Sequence, residues 1–463
     1  MYRPAIYLDI KLLLLALISL GGILLGGAVA IILYYAVCIF IVAKSNKHII
    51  PVLLLSNFVM AIDSSAPQLI QNISQNALIV FCFFMTIIRT FVKEKIHCGI
   101  VGKWFAFTAI CFLLSIIVNS QYIVIGLLKL IIFVFLFYTI YLNMQHTRSL
   151  TYMHYLYNFW LILIVLCVAV WLFYPSGAYA GENRSFQGIT VHSQWLGVLL
   201  SMLGFLFLTA FIYYRFLLDR YFVVIFAFNT LLLFLCASRT AVFAFVISHV
   251  LVLLYATLLS RDIDRAIILK VILVTGLVCI GGCITFQEQI ISFAFKEARR
   301  GVTYYRDVDS LYSSRIQLAE TTLENFKKAP FWGIGFASPN ESKDFEVIML
   351  PGTSIPVSAP TEKGNFLLAS LETVGLIGTT MLLGLLLLIL LTKQAQYRVI
   401  GISSVIIGLV LNMGEDFLFG VNGNATLFWV LCLLATDDTR SQIKNRLISG
   451  LTRGMVNFGV HLI

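Results

Sequence analysis

Long apolar runs separated by short polar turns make up most of this chain of 463 residues. A helix needs roughly 20 mostly apolar residues to cross the bilayer core. The pattern therefore predicts an all-α polytopic membrane protein, with about 12–14 transmembrane helices in one integral membrane domain, 1–463. The predicted spans are 11–26, 28–43, 49–62, 74–92, 102–118, 121–141, 155–175, 191–213, 220–236, 239–260, 266–286, 365–392, 397–413 and 424–436.

One long polar segment, 287–364, interrupts the apolar pattern. Residues 287–300 alternate apolar and charged side chains at helical spacing, which predicts a helix lying on the membrane surface. Residues 313–328 predict a second helix, which Pro330 ends because proline cannot continue a helix. The side chains expected to form its buried stripe are Ile316, Ala319, Leu323 and Phe326.

Composition and charge narrow the class further. Hydrophobic residues make up 60% of the chain and charged residues 12%, proportions that exclude a water-soluble domain of this size. The net charge is +10, but the basic residues are spread over short loops, so nucleic-acid binding is excluded. Most of these bases fall in alternate loops. The positive-inside rule then places both termini and the tail 437–463 in the cytoplasm, and the long loop outside.

The nine cysteines add no chemistry to this picture. None lies in a loop predicted to face outward, so no disulfide framework is expected there. No cysteine spacing indicates a metal site, and the sequence predicts neither a metal nor another cofactor.

Three arginines are the main candidates for chemistry on the outward side. Arg184 follows a Gly-Glu-Asn turn, Arg239 begins a span and Arg315 begins the second loop helix. A helix start offers free backbone N–H groups, and the arginine fork adds paired donors, so the set suits a pyrophosphate at the membrane surface. Each arginine alone is also explained by snorkelling or by a surface ion pair.

Short motifs accompany these arginines at the outward ends of spans and in the long loop. They are Gly188, His192–Gly197, Ser238-Arg239, Ser314-Arg315, Pro330, Gly333-Ile334-Gly335, Asn365 and Gly375–Gly378. In order and placement they resemble the O-antigen ligase and polymerase superfamily. The resemblance covers residues 176–436, whereas the N-terminal spans, 1–175, match only in being spans.

The resemblance implies an enzyme of the bacterial plasma membrane. It would transfer a glycan from a polyprenyl-pyrophosphate carrier to a glycan acceptor on the outer face, without a metal, as a glycosyltransferase of surface-polysaccharide biosynthesis. Arg184, Arg239 and Arg315 match positions where the family holds the pyrophosphate. A chain-length regulator and a flippase are further implied partners, besides membrane lipid.

One position departs from the family pattern. Family ligases carry a His-Asn pair at the end of the long loop, whereas this chain has Gly364 followed by Asn365. Glu362 and His192 are the candidate replacements for the missing base, since either accepts a proton if its pKa suits the site. Asn365, retained from the family pair, is the third candidate catalytic residue. The departure favours a polymerase of repeat units, with a ligase acting on a different acceptor as the alternative. Candidate accessory residues are Lys363, Glu372 and Lys129.

Two other functional hypotheses stay open, a transporter and a different kind of transferase. A lipid-linked glycan transporter or flippase predicts charged residues along several spans and broken helices around a midplane site, whereas the polar residues here gather on one side. A metal-dependent transferase with an acid in its first outward loop would use Asp63. Metal dependence of the activity separates that last reading from the first.

Overall fold

A computed structural model describes most of the chain. The described residues are 10–61, 68–93, 98–146, 149–180, 185–214, 222–258, 265–266, 268–270, 272–273, 319–338, 348–349, 356–358, 365–393, 397–414, 417–420, 423–434 and 436.

α-Helices, most of them apolar, dominate these residues. They are α1 (Ile10–Lys44), α2 (Ile49–Ala61), α3 (Gln68–Lys93), α4 (Ile100–Asn119), α5 (Ile123–His146), α6 (Ser149–Phe173), α7 (Pro175–Ala178), α8 (Ser193–Tyr214), α9 (Phe222–Leu235), α10 (Arg239–Leu258), α11 (319–328), α12 (Phe366–Leu391), α13 (Arg398–Asn412) and α14 (Gly423–Leu433). A short 3-10 turn, Asn46–His48, joins α1 to α2.

The predicted fold class is confirmed: this is an all-α polytopic membrane protein. Within the described residues, 8 helices are long and apolar enough to cross a membrane, and α9, α13 and α14 are shorter apolar helices. The predicted spans 11–26 and 28–43 form one helix, α1, broken at Gly27, whose φ of 54° is not helical. The predicted span 266–286 falls mostly outside the described residues, so the total number of spans stays a prediction.

Most of the long helices bury one side and expose apolar side chains on the other. Ile32 on α1, Phe107 on α4 and Val246 on α10 are exposed, as expected for surfaces that face lipid. The buried apolar residues form one cluster that extends from α1 to α14. Buried polar pairs link helices across it: Trp160 Nε1 donates to Asn229 Oδ1 at 2.8 Å, between α6 and α9.

Two small hairpins lie between the helices, and the sequence did not predict them. Strand β1 (Tyr179–Ala180) pairs antiparallel with β2 (Ser185–Phe186), and β3 (Ile348–Met349) pairs with β4 (Pro356–Ser358). Two- and three-residue strands are too short to show a period-2 pattern, so hydrophobic periodicity does not reveal them.

Part of the long polar segment is described. The second predicted helix is confirmed over 319–328, and it ends before Pro330 as expected. Its predicted buried stripe is wrong at Leu323, which is 43% exposed, whereas Thr322 and Asn325 are buried. The buried face of α11 is therefore polar, because it packs against a polar part of α12. The first predicted loop helix, 287–300, lies outside the described residues.

Candidate functional site

Three helices begin close together at one end of the bundle, which we call the Asn365 end. Gly197 of α8 lies so close to Ser238, just before α10, that a Cβ on Gly197 would be 2.7 Å from the Ser238 Cβ. Gly414 contacts Thr240 of α10. Asn365, which precedes α12, donates from Nδ2 to the Met413 carbonyl at 3.2 Å. The start of α8 thus lies against the start of α10, and the starts of α10 and α12 both contact the turn at 413–414. We call these three helix starts the helix-start cluster.

Arg239 is the first residue of α10 and lies in this cluster. Ala237, with a φ of 51°, forms the tight turn between α9 and α10. Ser238 then caps α10: its Oγ accepts from the Ala241 N–H at 3.4 Å and its carbonyl accepts from Val242. Arg239 is partly exposed. The sequence prediction that Arg239 stands at a helix start is confirmed, and there its guanidinium adds to the positive end of the helix dipole.

The side chain of Asn365 has a structural task. Its Oδ1 accepts hydrogen bonds from the N–H groups of Leu367 and Leu368 at 3.0 and 3.3 Å, so it caps α12. Its Nδ2 holds the turn at Met413. Both ends of the amide are therefore occupied, and a catalytic role for Asn365 remains a prediction.

His192 lies just before α8 and is exposed. Its carbonyl accepts from the Thr190 hydroxyl at 3.0 Å and from the Leu196 N–H at 3.3 Å, which fixes the backbone at the start of α8. Ser193 is 3.2 Å from Ser185 of β2, Oγ to Oγ, so the hairpin β1–β2 ends beside this helix start.

Several predicted site residues are not shown at the helix-start cluster. Lys129 lies on α5 and is partly exposed. Four others lie outside the described residues, so the expected convergence of three arginines stays a prediction. These four are Arg184, Arg315, Glu362 and Lys363.

Helix α12 is broken at Gly375, and a turn of the long loop fills the break. Gly375 has φ 65° and ψ −170°. The carbonyls of Glu372 and Thr373 accept from Ile334 and Gly335 at 2.8 and 3.0 Å. Beyond the break, the N–H groups of 376 and 377 donate to the carbonyls of 330 and 331 at 2.8 and 3.2 Å. Residues 330–338, the inserted turn, thus satisfy backbone groups that an unbroken helix would pair internally.

The inserted turn is also fixed to the end of α4. Asn119 Nδ2 donates to the Gly333 carbonyl at 2.7 Å, and the Phe336 N–H donates to Ser115 Oγ at 3.1 Å. The buried Phe336 ring stacks on Phe112 at 5.0 Å between centroids. Since α4 ends at Asn119, the break in α12 lies level with the end of a membrane-length helix.

A buried carboxylate sits beside this break. Glu372 is 1% exposed, and its Oε1 accepts from Asn325 Nδ2 at 2.8 Å. Asn325 Oδ1 in turn accepts from Lys328 Nζ at 2.9 Å. We call these three side chains the Glu372 relay. The sequence prediction singled out Glu372 alone; Asn325 and Lys328 were missed. The available signal was the polar pair Thr322 and Asn325, three residues apart on one helix face.

Comparison with known proteins connects this geometry to a family. Residues 221–357 match the O-antigen ligase family. The match confirms, for this part of the chain, the resemblance to the O-antigen ligase and polymerase superfamily. No curated protein matches the chain significantly.

The O-antigen ligase match contains much of the described site. It includes Arg239 and its turn, α10, and the long loop with Asn325, Lys328 and the inserted turn. It ends before Asn365 and Glu372, and a hydrogen bond links Glu372 to Asn325 of the matched range. Together with the membrane helices, the match supports a membrane enzyme that handles glycans.

Proposed function

We propose that this protein polymerises oligosaccharide repeat units, carried on undecaprenyl pyrophosphate, into a surface polysaccharide at the outer face of the bacterial plasma membrane. The observation that carries the proposal is the helix-start cluster, in which Arg239 lies among the starts of α8, α10 and α12. Each helix start carries about half a positive charge, and these charges favour a bound anion. Arg184 and Arg315 would complete the pyrophosphate site from neighbouring loops.

The charges at the opposite end of the bundle support this orientation. Lys44, Lys47, Arg89 and Lys393 belong to that end: Arg89 bonds to α1 near Asn46, and Lys393 follows α12. Basic residues concentrate on the cytoplasmic side of membrane proteins. The Asn365 end then faces outward, where repeat units are polymerised, and both termini are cytoplasmic.

The proposed chemistry is a single displacement. An acceptor sugar hydroxyl attacks the anomeric carbon, the new glycosidic C–O bond forms, and the bond to pyrophosphate breaks. The lipid pyrophosphate leaves with the bonding electrons, and the arginines and helix starts stabilise its developing charge. Glu362 or His192 receives the hydroxyl proton. No metal is needed, because the fixed cations neutralise the leaving group.

The ligase remains the second candidate, because the matching family is described as O-antigen ligase. Deleting the protein in its own organism separates the two activities. Loss of a polymerase leaves single repeat units on the final acceptor. Loss of a ligase leaves the acceptor bare while long polysaccharide accumulates on the lipid carrier.

The direct test is Arg239→Ala, with Arg265→Ala as the matched control. Arg265 is an exposed arginine in another helical segment, on the side that the charge pattern places in the cytoplasm. We expect Arg239→Ala to keep its membrane level but slow polymer formation by about 10²–10³-fold, the usual effect of removing one donor to a developing anion. Arg265→Ala should retain wild-type chain lengths.

Wild-type chain length in Arg239→Ala would contradict the proposed donor site. Assaying the same membranes with and without EDTA separates the proposal from the metal-dependent transferase. Unchanged polymer yield in EDTA is the expected result.

A further inference from the structure

Lys328 is an exposed ammonium whose position is fixed by hydrogen bonds to buried groups. It lies at the end of α11 and donates to Asn325, which is 5% exposed. The Asn325 amide is oriented by its bond to the Glu372 carboxylate. The Glu372 carboxylate only accepts hydrogen bonds and the Lys328 ammonium only donates them. The Asn325 amide can therefore bond to both partners in one orientation only. The buried part of the Glu372 relay therefore holds the Lys328 side chain in one place.

The surroundings of Lys328 are those of a lipid surface. The N–H groups of Leu376 and Ile377 donate to the carbonyls of Pro330 and Phe331, so the end of α11 lies beside the break in α12. Phe331 and Leu376 are 62% and 51% exposed. Large exposed apolar side chains in this class of protein face the bilayer. Lys328 is thus a fixed cation beside lipid, level with the end of α4.

From this geometry we infer that Lys328 binds a phosphate carried on a membrane lipid. The inference rests on the proposed function and assigns Lys328 to the donor's lipid-linked pyrophosphate, in addition to the arginines. Lysine binds phosphate as a point charge, and a fixed ammonium loses less side-chain entropy on binding than a free one. Asn325 and Glu372 are positioning residues, which act on the phosphate only through Lys328.

The test measures binding to the full-length protein in phosphatidylcholine nanodiscs. The probe is undecaprenyl pyrophosphate, with undecaprenol and inorganic pyrophosphate as separate arms. We expect Lys328→Met to bind the lipid pyrophosphate about tenfold more weakly than wild type, a loss of about 1.4 kcal/mol. Lys328→Arg should bind within about threefold of wild type, a loss below about 0.7 kcal/mol. Lys327→Met, at the exposed lysine next along the chain, is the matched control and should bind like wild type.

The comparison arms identify the source of the phosphate. Undecaprenol should bind wild type and Lys328→Met equally, because it carries no phosphate. If inorganic pyrophosphate showed the same tenfold dependence on Lys328, the site would recognise free phosphate, and the assignment to a lipid would be wrong.

The positioning role has its own measurement. Glu372→Gln keeps an oxygen that accepts from Asn325, so its KM for the lipid-linked donor should stay within about threefold of wild type. Glu372→Leu removes that acceptor, and its KM should rise about tenfold with kcat unchanged. A purely structural role would lower the amount of folded enzyme and leave KM unchanged in both variants.

The outcomes separate the two proposals. If wild-type protein fails to bind undecaprenyl pyrophosphate more tightly than undecaprenol, the proposed function is wrong. If wild type binds it and Lys328→Met binds it equally well, the donor site stands and the role of Lys328 is wrong.

Discussion

Basic side chains at the end of the bundle opposite Asn365 do more than carry charge. Arg89 donates to the Val42 carbonyl and to Asn46 Oδ1, both at 2.9 Å, so it caps the end of α1. Lys393 is fully buried and donates to the carbonyls of Cys432 and Leu434 and to Thr436 Oγ1, at the end of α14. A cation at a helix C-terminus satisfies free carbonyls and opposes the negative dipole end. Arg89 and Lys393 therefore also satisfy carbonyls at helix ends.

Removing the Lys393 amino group should destabilise the α13–α14 region. Lys393→Met leaves the carbonyls of Cys432 and Leu434 without this donor, and an unsatisfied buried acceptor costs about 1–3 kcal/mol. We expect a lower thermal unfolding temperature for purified Lys393→Met in detergent. The effect should depend on pH, because burial lowers the pKa of Lys393 to about 7.

The direction of this pH dependence follows from the number of protons that the folded and unfolded states bind. In the unfolded chain the lysine pKa is near its ordinary value of about 10.4, so between pH 7 and that value the unfolded state holds more protons. The free energy of unfolding of wild type should rise with pH by up to about 1.4 kcal/mol per unit, relative to Lys393→Met. A constant difference between the two proteins from pH 7 to 9 would contradict this account.

At the scale of single elements, the break in α12 shows where hydrophobic pattern stops being informative. The run 365–392 correctly predicted the helix but contains no interruption at Gly375. The break exists because the inserted turn supplies partners from 38 or more residues earlier in the chain, which a local pattern does not contain. The stripe on α11 was mispredicted for the same reason: Glu372 selects Asn325 as the buried residue.

Gly375→Ala tests how strictly the break is required. A Cβ at Gly375 would overlap the Phe331 carbonyl, and its backbone region is open essentially only to glycine. The backbone conformation alone costs about 1–3 kcal/mol for another residue. We expect lower thermal stability and loss of the proposed polymerisation together.

Gly99→Ala is the control for Gly375→Ala, since Gly99 also adjoins a transmembrane helix but has a φ of −69° that alanine adopts. Equal stability of the two variants would show that the inserted turn moves aside at little cost.

For the whole molecule, the charge pattern and the apolar runs correctly indicated a polytopic helical protein, and the motif at Ser238-Arg239 indicated one helix start of the site. The convergence of α8, α10 and α12 depends on close approaches at Gly197 and Gly414, whose partners the sequence does not identify. Lys328 was missed because its significance comes from Asn325 and Glu372, which meet only in the fold.

The orientation of the whole bundle yields a prediction of its own, based on accessibility of single introduced cysteines. Val191 lies beside the helix-start cluster and Lys47 beside the end of α1, and both are exposed. Since basic residues concentrate inside, Val191→Cys should react with a membrane-impermeant maleimide in intact spheroplasts. Lys47→Cys should react only after permeabilisation.

The wild-type protein gives the baseline for this labelling experiment, because its described cysteines are buried or partly buried. Labelling of Lys47→Cys from outside, with Val191→Cys protected, would place the helix-start cluster on the cytoplasmic side. It could then not bind a donor at the outer face of the membrane.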